Sequence, residues 1–276
     1  MLLHYMDGKW LPEEDLKISA FDISVLRGFG VFDFLRTYNQ IPFRLQDHIN
    51  RLGNSARELS MTVPVTDEEL TKIITEGISR NSTESKEFNI RIVLTGGVSE
   101  DTISVGKGSL IVIFAPGHDY PEEFYTKGIK VATFKVMRQI PNAKSLDYMA
   151  GIGALAKARK DGAIELIHVG PQGNLYEGMT SNFFAIIDNK LITAREGILE
   201  GVTKKIILEE LAPQLNITLQ ERFPTIPEIP SFTECFITAS NKEIMPVTFI
   251  DDQQIGDGTV GPLTKQLIAE FRKITR

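Results

Sequence analysis

Cysteine is nearly absent: the 276 residues include one, Cys235, so no disulfide can form within the chain, and a reducing, cytoplasmic setting is expected. Histidine is scarce too. His4, His48, His118 and His168 stand apart, without the paired spacing of zinc ligands, and no metal centre is expected. The opening stretch "MLLHYMDGKWLPEED" has no basic flank leading into an apolar core, and no apolar run reaches membrane-spanning length; neither a secretory leader nor a membrane partner is expected. Basic residues are not in excess. There are 30 Lys and Arg against 36 Asp and Glu, a net charge of -6, and no basic cluster, which argues against a nucleic-acid partner. A small carboxylated or phosphorylated molecule stays open, because a few converging cations suffice for it. Internal repeats and low-complexity tracts are missing, and Gly28-Phe29-Gly30 is too short for a dinucleotide fingerprint.

What is present fits a globular chain of one large or two ordinary domains: 42% hydrophobic and 24% charged residues. A hairpin turns at Asp7-Gly8, a loop runs to Gly30, and a second hairpin joins "VFDFLRTY" to "IPFRL" through Asn39-Gln40. Ile49, Leu52, Ala56 and Leu59 recur at helical spacing, and Thr66 with Glu69 forms a capping box before a second helix. Strands follow at "EFNIRIVLTGG" and "SLIVIFAP". Pro, Gly and charge interrupt the pattern at residues 119–127, the expected linker between an N-terminal α/β domain (1–118) and a C-terminal domain (128–276). The second half reads as the strand "IKVATFKVM", a helix ending at Gly162, the strands "AIELIHVG" and "SNFFAIID" about the turn "PQGN", the short strand "LITA", the helix "VTKKIILEELAPQL", the strands "ITLQERF" and "ECFITA", and a terminal helix.

Several residues have types suited to chemistry. Lys144 lies between a turn-prone Pro141-Asn142 and an apolar segment; a lysine there can attack a carbonyl once it sheds its proton. Glu177 stands beside a turn. Gly201-Val202-Thr203 opens a helix, where unpaired N–H groups attract phosphate. Ser240 and Asn241 occupy a second turn with hydroxyl and amide donors, and Arg51 carries a fork that suits phosphate. Arg91 projects from the face of its strand opposite the main apolar row. For each residue alone, a solvated or structural role is the default.

Taken in order, "FRLQDHINRLGNSA", "AKSLDY", "EGMTSNFFAI", "GILEGVTKK", "NKEIMPV" and "IGDGTVGPLTKQL" resemble the class IV (fold type IV) aminotransferases, almost end to end. That family comprises branched-chain aminotransferases, D-amino acid aminotransferases and aminodeoxychorismate lyases. The resemblance implies a mixed α/β fold with a smaller N-terminal domain and a larger barrel-like C-terminal domain that carries the lysine. It also implies pyridoxal 5'-phosphate as cofactor, lying between the domains, and a homodimer in which a loop of one subunit borders the other's pocket. Lys144 becomes the Schiff-base lysine and proton carrier, and Glu177 the carboxylate facing the pyridine nitrogen. Arg51, Val202, Thr203, Ser240 and Asn241 form the phosphate cup, and Tyr148 lies near the cofactor's 3'-oxygen. Arg27, Arg91 and Lys242 are the cations expected to hold substrate carboxylates; similar arginines occur in some D-selective members. The resemblance implies exchange of an amino group between an amino acid and a 2-oxo acid by a ping-pong route. Asp33 and Phe34 stand where typical branched-chain enzymes carry Glu and Gly, so D-amino acid transamination ranks first, branched-chain second and the lyase third. Outside the family, a cofactor-free Schiff-base aldolase lacks its eight βα repeats here, and a non-catalytic cofactor binder has no need of both Lys144 and Glu177.

Overall fold

The computed structural model describes residues 1–275. Its contacts separate two units, the first comprising Met1–His118 and Asn142–Asp147, the second Asp119–Pro141 and the chain from Tyr148 onward.

In the first unit Asp7 and Gly8 adopt positive φ between β1 (His4–Met6) and β2 (Lys9–Leu11), as an Asp-Gly hairpin turn requires. The stretch expected as a loop before Gly30 contains a short helix, α1 (Ile23–Arg27), capped by the Asp22 carboxylate and ended by left-handed Gly28. β3 (Gly30–Tyr38) turns through Asn39 and Gln40, both at positive φ, into β4 (Ile41–Pro42). Helix α2 (Leu45–Glu58) buries Ile49, Leu52 and Ala56, and α3 (Asp67–Arg80) starts at the Thr66–Glu69 capping box. With β5 (Phe88–Thr95) and β6 (Leu110–Pro116) the strands make one sheet, ordered β2-β1-β6-β5-β3-β4. Leu35, Ile90, Ile92, Val112 and Phe114 pack in one buried cluster with Leu52, Leu70 and Ile74 of the helices.

The second unit begins with α4 (Glu122–Thr126), which occupies the stretch expected as a linker. Then come β7 (Ile129–Phe134), α5 (Met149–Ala158), β8 (Ala163–Val169), β9 (Leu175–Gly178), β10 (Ser181–Ile187) and β11 (Lys190–Thr193). Helix α6 (Val202–Ile206) runs through a π-helical stretch (Ile207–Leu211) into α7 (Ala212–Gln214). β12 (Thr218–Glu221), β13 (Glu234–Ala239), β14 (Glu243–Ile250), β15 (Gln253–Gln254) and α8 (Pro262–Thr275) complete the unit. Because β9 pairs with both β8 and β10, the strands β10-β13-β14-β7-β8-β9 close into a barrel-like ring, while β11 and β12 extend it from the far half of β10.

Three expectations change. Lys144 was expected in the C-terminal domain, yet its segment belongs to the first unit: Phe32 N donates to Lys144 O and Leu146 N to Gly30 O, both at 2.9 Å, adding residues 144–146 along β3. Glu177 lies within a strand, β9, that the sequence reading missed. The stretch "EIMPV" is also a strand. Pro246 is tolerated in β14 because pairing to β7 starts only at Val247, so its missing N–H leaves no gap in that ladder.

Candidate active site

On β3 the side chains alternate. Val31, Asp33, Leu35 and Thr37 are fully buried on one face; Phe32 and Phe34 point the other way, and their cross-strand partners on β5 are Val93 and Arg91. The Lys144 ammonium lies over the Phe32 ring, 4.5 Å from its centre, which places it on this second face. Close approach of the Lys144 segment depends on Gly30, where a Cβ would stand 2.7 Å from Leu146 and 2.8 Å from the Leu94 carbonyl. Buried Ser55 ties the segment to α2: its hydroxyl accepts from Lys144 N at 3.0 Å and donates to Arg51 O at 2.8 Å.

Arg51 is held by a carboxylate that the sequence reading noted only as a family departure. Its Nε and Nη2 donate to Asp33 Oδ2 and Oδ1 at 2.8 and 2.9 Å, leaving Nη1 as the nitrogen Asp33 does not use. Asp33 also accepts from Phe34 N at 2.7 Å and meets His48 Nδ1 at 2.6 Å; for that contact to be a hydrogen bond, neutral His48 must carry its proton on Nδ1. Burial pushes the Asp33 pKa up, but the Arg51 and His48 charges and hydrogen bonds outweigh it and hold the carboxyl well below its usual range. His48 is pushed down, first by burial and then by Arg51 and Lys144, against the pull of Asp33.

In the second unit Glu177 is 4% exposed. Its Oε1 accepts from Arg138 Nη1 at 3.1 Å, and its Oε2 from Leu199 N at 3.0 Å and Asn182 Nδ2 at 3.4 Å. Asn182 organises this end of the ring. It pairs with Glu177 across β9–β10 and with Thr238 across β10–β13, and it donates to Leu199 O at 2.8 Å. Gly201, at the N-cap of α6, packs so closely on it that a Cβ would meet Asn182 Oδ1. Glu177, the Val202–Thr203 helix start and the Ser240–Asn241 turn after β13 are thus brought together by adjacent strand ends.

This second set fits a phosphorylated pyridine. The Thr238 hydroxyl, opposite Asn182 and just before the Ser240–Asn241 turn, is buried without a partner among the described residues. Backbone N–H groups at the start of a helix and hydroxyls can donate to phosphate at one end, and a buried carboxylate can accept from a ring N–H at the other.

The cations expected for substrate separate. Arg91 is exposed, with its guanidinium 5.8 Å from the Phe34 ring centre, and makes no ion pair among the described residues. Arg27 lies at the end of α1 rather than on a loop; it is exposed and donates only to Leu26 O. Lys242 is buried, with Nζ 3.3 Å from Glu165 Oε2 and 2.5 Å from Thr180 Oγ1. That buried carboxylate also accepts from Thr180 and Ser181, so the Lys242 ammonium is already engaged beside the Ser240–Asn241 turn. Tyr148, half-buried, precedes the first turn of α5.

The sequence profile described as amino-transferase class IV matches residues 30–250. The chain belongs to the class IV aminotransferases. It is therefore an enzyme of a family that works with pyridoxal 5'-phosphate. A putative branched-chain-amino-acid aminotransferase of Methanocaldococcus jannaschii is 32% identical over 98% of this chain and 95% of its own length. D-alanine aminotransferase of Staphylococcus haemolyticus is 30% identical over 98% and 96%. A T.th. branched-chain amino acid aminotransferase, solved with pyridoxamine 5'-phosphate, superposes with a TM-score of 0.91 at 27% identity, over 99% of this chain and 94% of that one. Among the described residues no helix of this aminotransferase is long and apolar enough to cross a membrane.

The histidines of this aminotransferase set a pH dependence. Burial pushes His168 down to about 4, with the Arg138 charge acting in the same direction, and His48 is lowered as well. His168 is therefore neutral in the fold near pH 6, whereas in the unfolded chain a histidine takes up a proton below about 6.5. Stability is full above that value and falls as pH drops, by up to about 1.4 kcal/mol per pH unit for His168, and the lowered His48 acts in the same direction. Melting temperatures measured from pH 7.5 to 5 should decline, and His168→Gln should flatten the decline. A flat wild-type profile would remove this assignment.

Proposed function

We propose that the chain exchanges amino groups between an amino acid and a 2-oxo acid in two half-reactions, with D-amino acids as the preferred donors. Pyridoxal phosphate, when bound, supplies an aldehyde that condenses with amines and a ring that accepts the electrons left behind when a carbon loses its proton. Lys144 is the amine that holds the cofactor at rest and then moves the proton between substrate Cα and cofactor C4'. Glu177 accepts the pyridine N–H and keeps the ring protonated. Arg51, Val202, Thr203, Ser240 and Asn241 hold the phosphate, and Tyr148 serves the 3'-oxygen.

The observation that carries the substrate assignment is Arg91, exposed without a carboxylate partner among the described residues and on the same face of the first unit's sheet as the Lys144 ammonium. A guanidinium so placed suits a substrate carboxylate, and Arg27 is a second candidate. Branched-chain L-amino acids are the other reading, favoured by the name of the Methanocaldococcus relative. We further infer a homodimer. Phe21, Val25 and Leu26 are exposed, as are Val98, Ile103 and Val105, and the Asp22–Val98 bridge sets the two segments side by side, an apolar patch suited to a second copy.

The test mixes cofactor-loaded protein separately with D-glutamate, D-alanine, L-leucine and L-glutamate and follows the visible absorbance. Bleaching by the D-acids alone is the expected result. Bleaching by L-leucine and L-glutamate instead would make the chain a branched-chain enzyme.

A further inference from the structure

We propose that Arg138 is a positioning residue that holds Glu177 in its working state. This rests on the roles given above to Glu177 and Lys144. Arg138 lies beyond β7, six residues before Lys144, and its guanidinium turns back to the ring. A single nitrogen, Nη1, donates to Glu177 Oε1 at 3.1 Å and to the Pro141 carbonyl at 3.0 Å. The arginine side chain is 20% exposed and the glutamate 5%, so the pair is largely removed from solvent.

Two consequences follow from that geometry. Burial disfavours the charged form of an unpaired carboxylate, so the guanidinium beside Glu177 favours the ionised, proton-accepting form that a ring N–H needs. Leu199 N and the Asn182 amide, which also donate to Glu177, carry no charge, whereas Arg138 brings a cation. The bond to Pro141 O, meanwhile, anchors the guanidinium itself, so the nitrogen that meets the carboxylate is held between two acceptors. A lysine at 138 would keep the charge but lose the rigid planar group that aims Nη1 at both acceptors.

The experiment compares Arg138→Met, Arg138→Lys, Glu177→Gln and the Met/Gln double variant. Apo-protein is titrated with pyridoxal 5'-phosphate, the visible spectrum of the loaded protein is recorded, and kcat and KM are measured with whichever amino donor the wild type accepts. Loss of a supporting contact of this kind costs about 10- to 100-fold. Arg138→Met should weaken cofactor binding and lower kcat by such a factor, with KM for the amino donor within about 3-fold. Its spectrum should match that of Glu177→Gln rather than wild type, and Arg138→Lys should recover part of both losses. In the double variant, Arg138→Met should add less than about 3-fold to Glu177→Gln, because residues acting through one another are not additive. Full multiplication of the two losses, or a wild-type spectrum and affinity in Arg138→Met, would overturn the proposal while leaving the roles of Lys144 and Glu177 standing. If wild-type apo-protein takes up no pyridoxal phosphate, both fall.

Discussion

Lys144→Ala is expected to end amino-group exchange while leaving the protein folded. Removing the proton carrier alone lowers turnover by about 10²–10⁴-fold, and loss of the covalent hold should let the cofactor wash out on dialysis. The fold should survive, because main-chain atoms hold the segment: Lys144 N bonds to Ser55, its carbonyl receives Phe32 N, and Leu146 N reaches Gly30. Alanine makes the same bonds. The side chain's place over the Phe32 ring is a contact worth about 0.5–1 kcal/mol at an accessible site. A small amine such as methylamine should restore part of the proton transfer in the variant but not in wild type. Activity within about tenfold of wild type would exclude Lys144 from the chemistry.

Asp33→Ala should produce the largest loss of stability, about 3–5 kcal/mol, as expected when one partner of a buried ion pair is removed. Asp33 is fully buried and accepts from Arg51, His48 and Phe34 N. Its deletion leaves a largely buried guanidinium and a buried imidazole facing a hole. The melting temperature should fall by on the order of 10 °C, and cofactor affinity should fall too, since Arg51 loses the acceptor that aims it. Because the folded pKa of Asp33 is depressed, its contribution is complete above the unfolded value of about 3.9 and is lost only at more acid pH. The gap between wild type and variant should therefore stay constant from pH 8 to 5. A drop of less than about 0.5 kcal/mol would show the carboxylate to be uncoupled from its neighbours.

Local chemistry was readable and long-range partnership was not. The Asp7-Gly8 turn and the Thr66–Glu69 capping box are recognisable because their partners lie within a few residues. The helix α1 was missed because its five residues bury only Ile23 and leave Val25 and Leu26 exposed, so it shows no apolar stripe. Lys144 and Glu177 attracted notice by residue type and neighbouring turns, but nothing nearby in sequence announces that Ser55 holds one and Arg138 the other. Lys242 looked like a free cation for the same reason. Its partner Glu165 sits on β8, far away along the chain, and an alternating strand pattern does not say which acid faces inward toward which base. Even Asp33, noted as a departure from the family pattern, gave no hint of His48 and Arg51, which only the packing of α2 on β3 sets beside it.

The ring of strands also has a consequence for the order of synthesis. Ile129 of β7 waits for Val247 of β14, more than a hundred residues later. The first unit's sheet, by contrast, contains all its strands once β6 has emerged. On the ribosome the N-terminal sheet can therefore form while β7 and β8, already paired in parallel, still present open backbone edges. Those edges are templates for another nascent chain. Chains interrupted before β14 should thus be the aggregating species in the cell, because β14 is the strand that covers the open edge of β7.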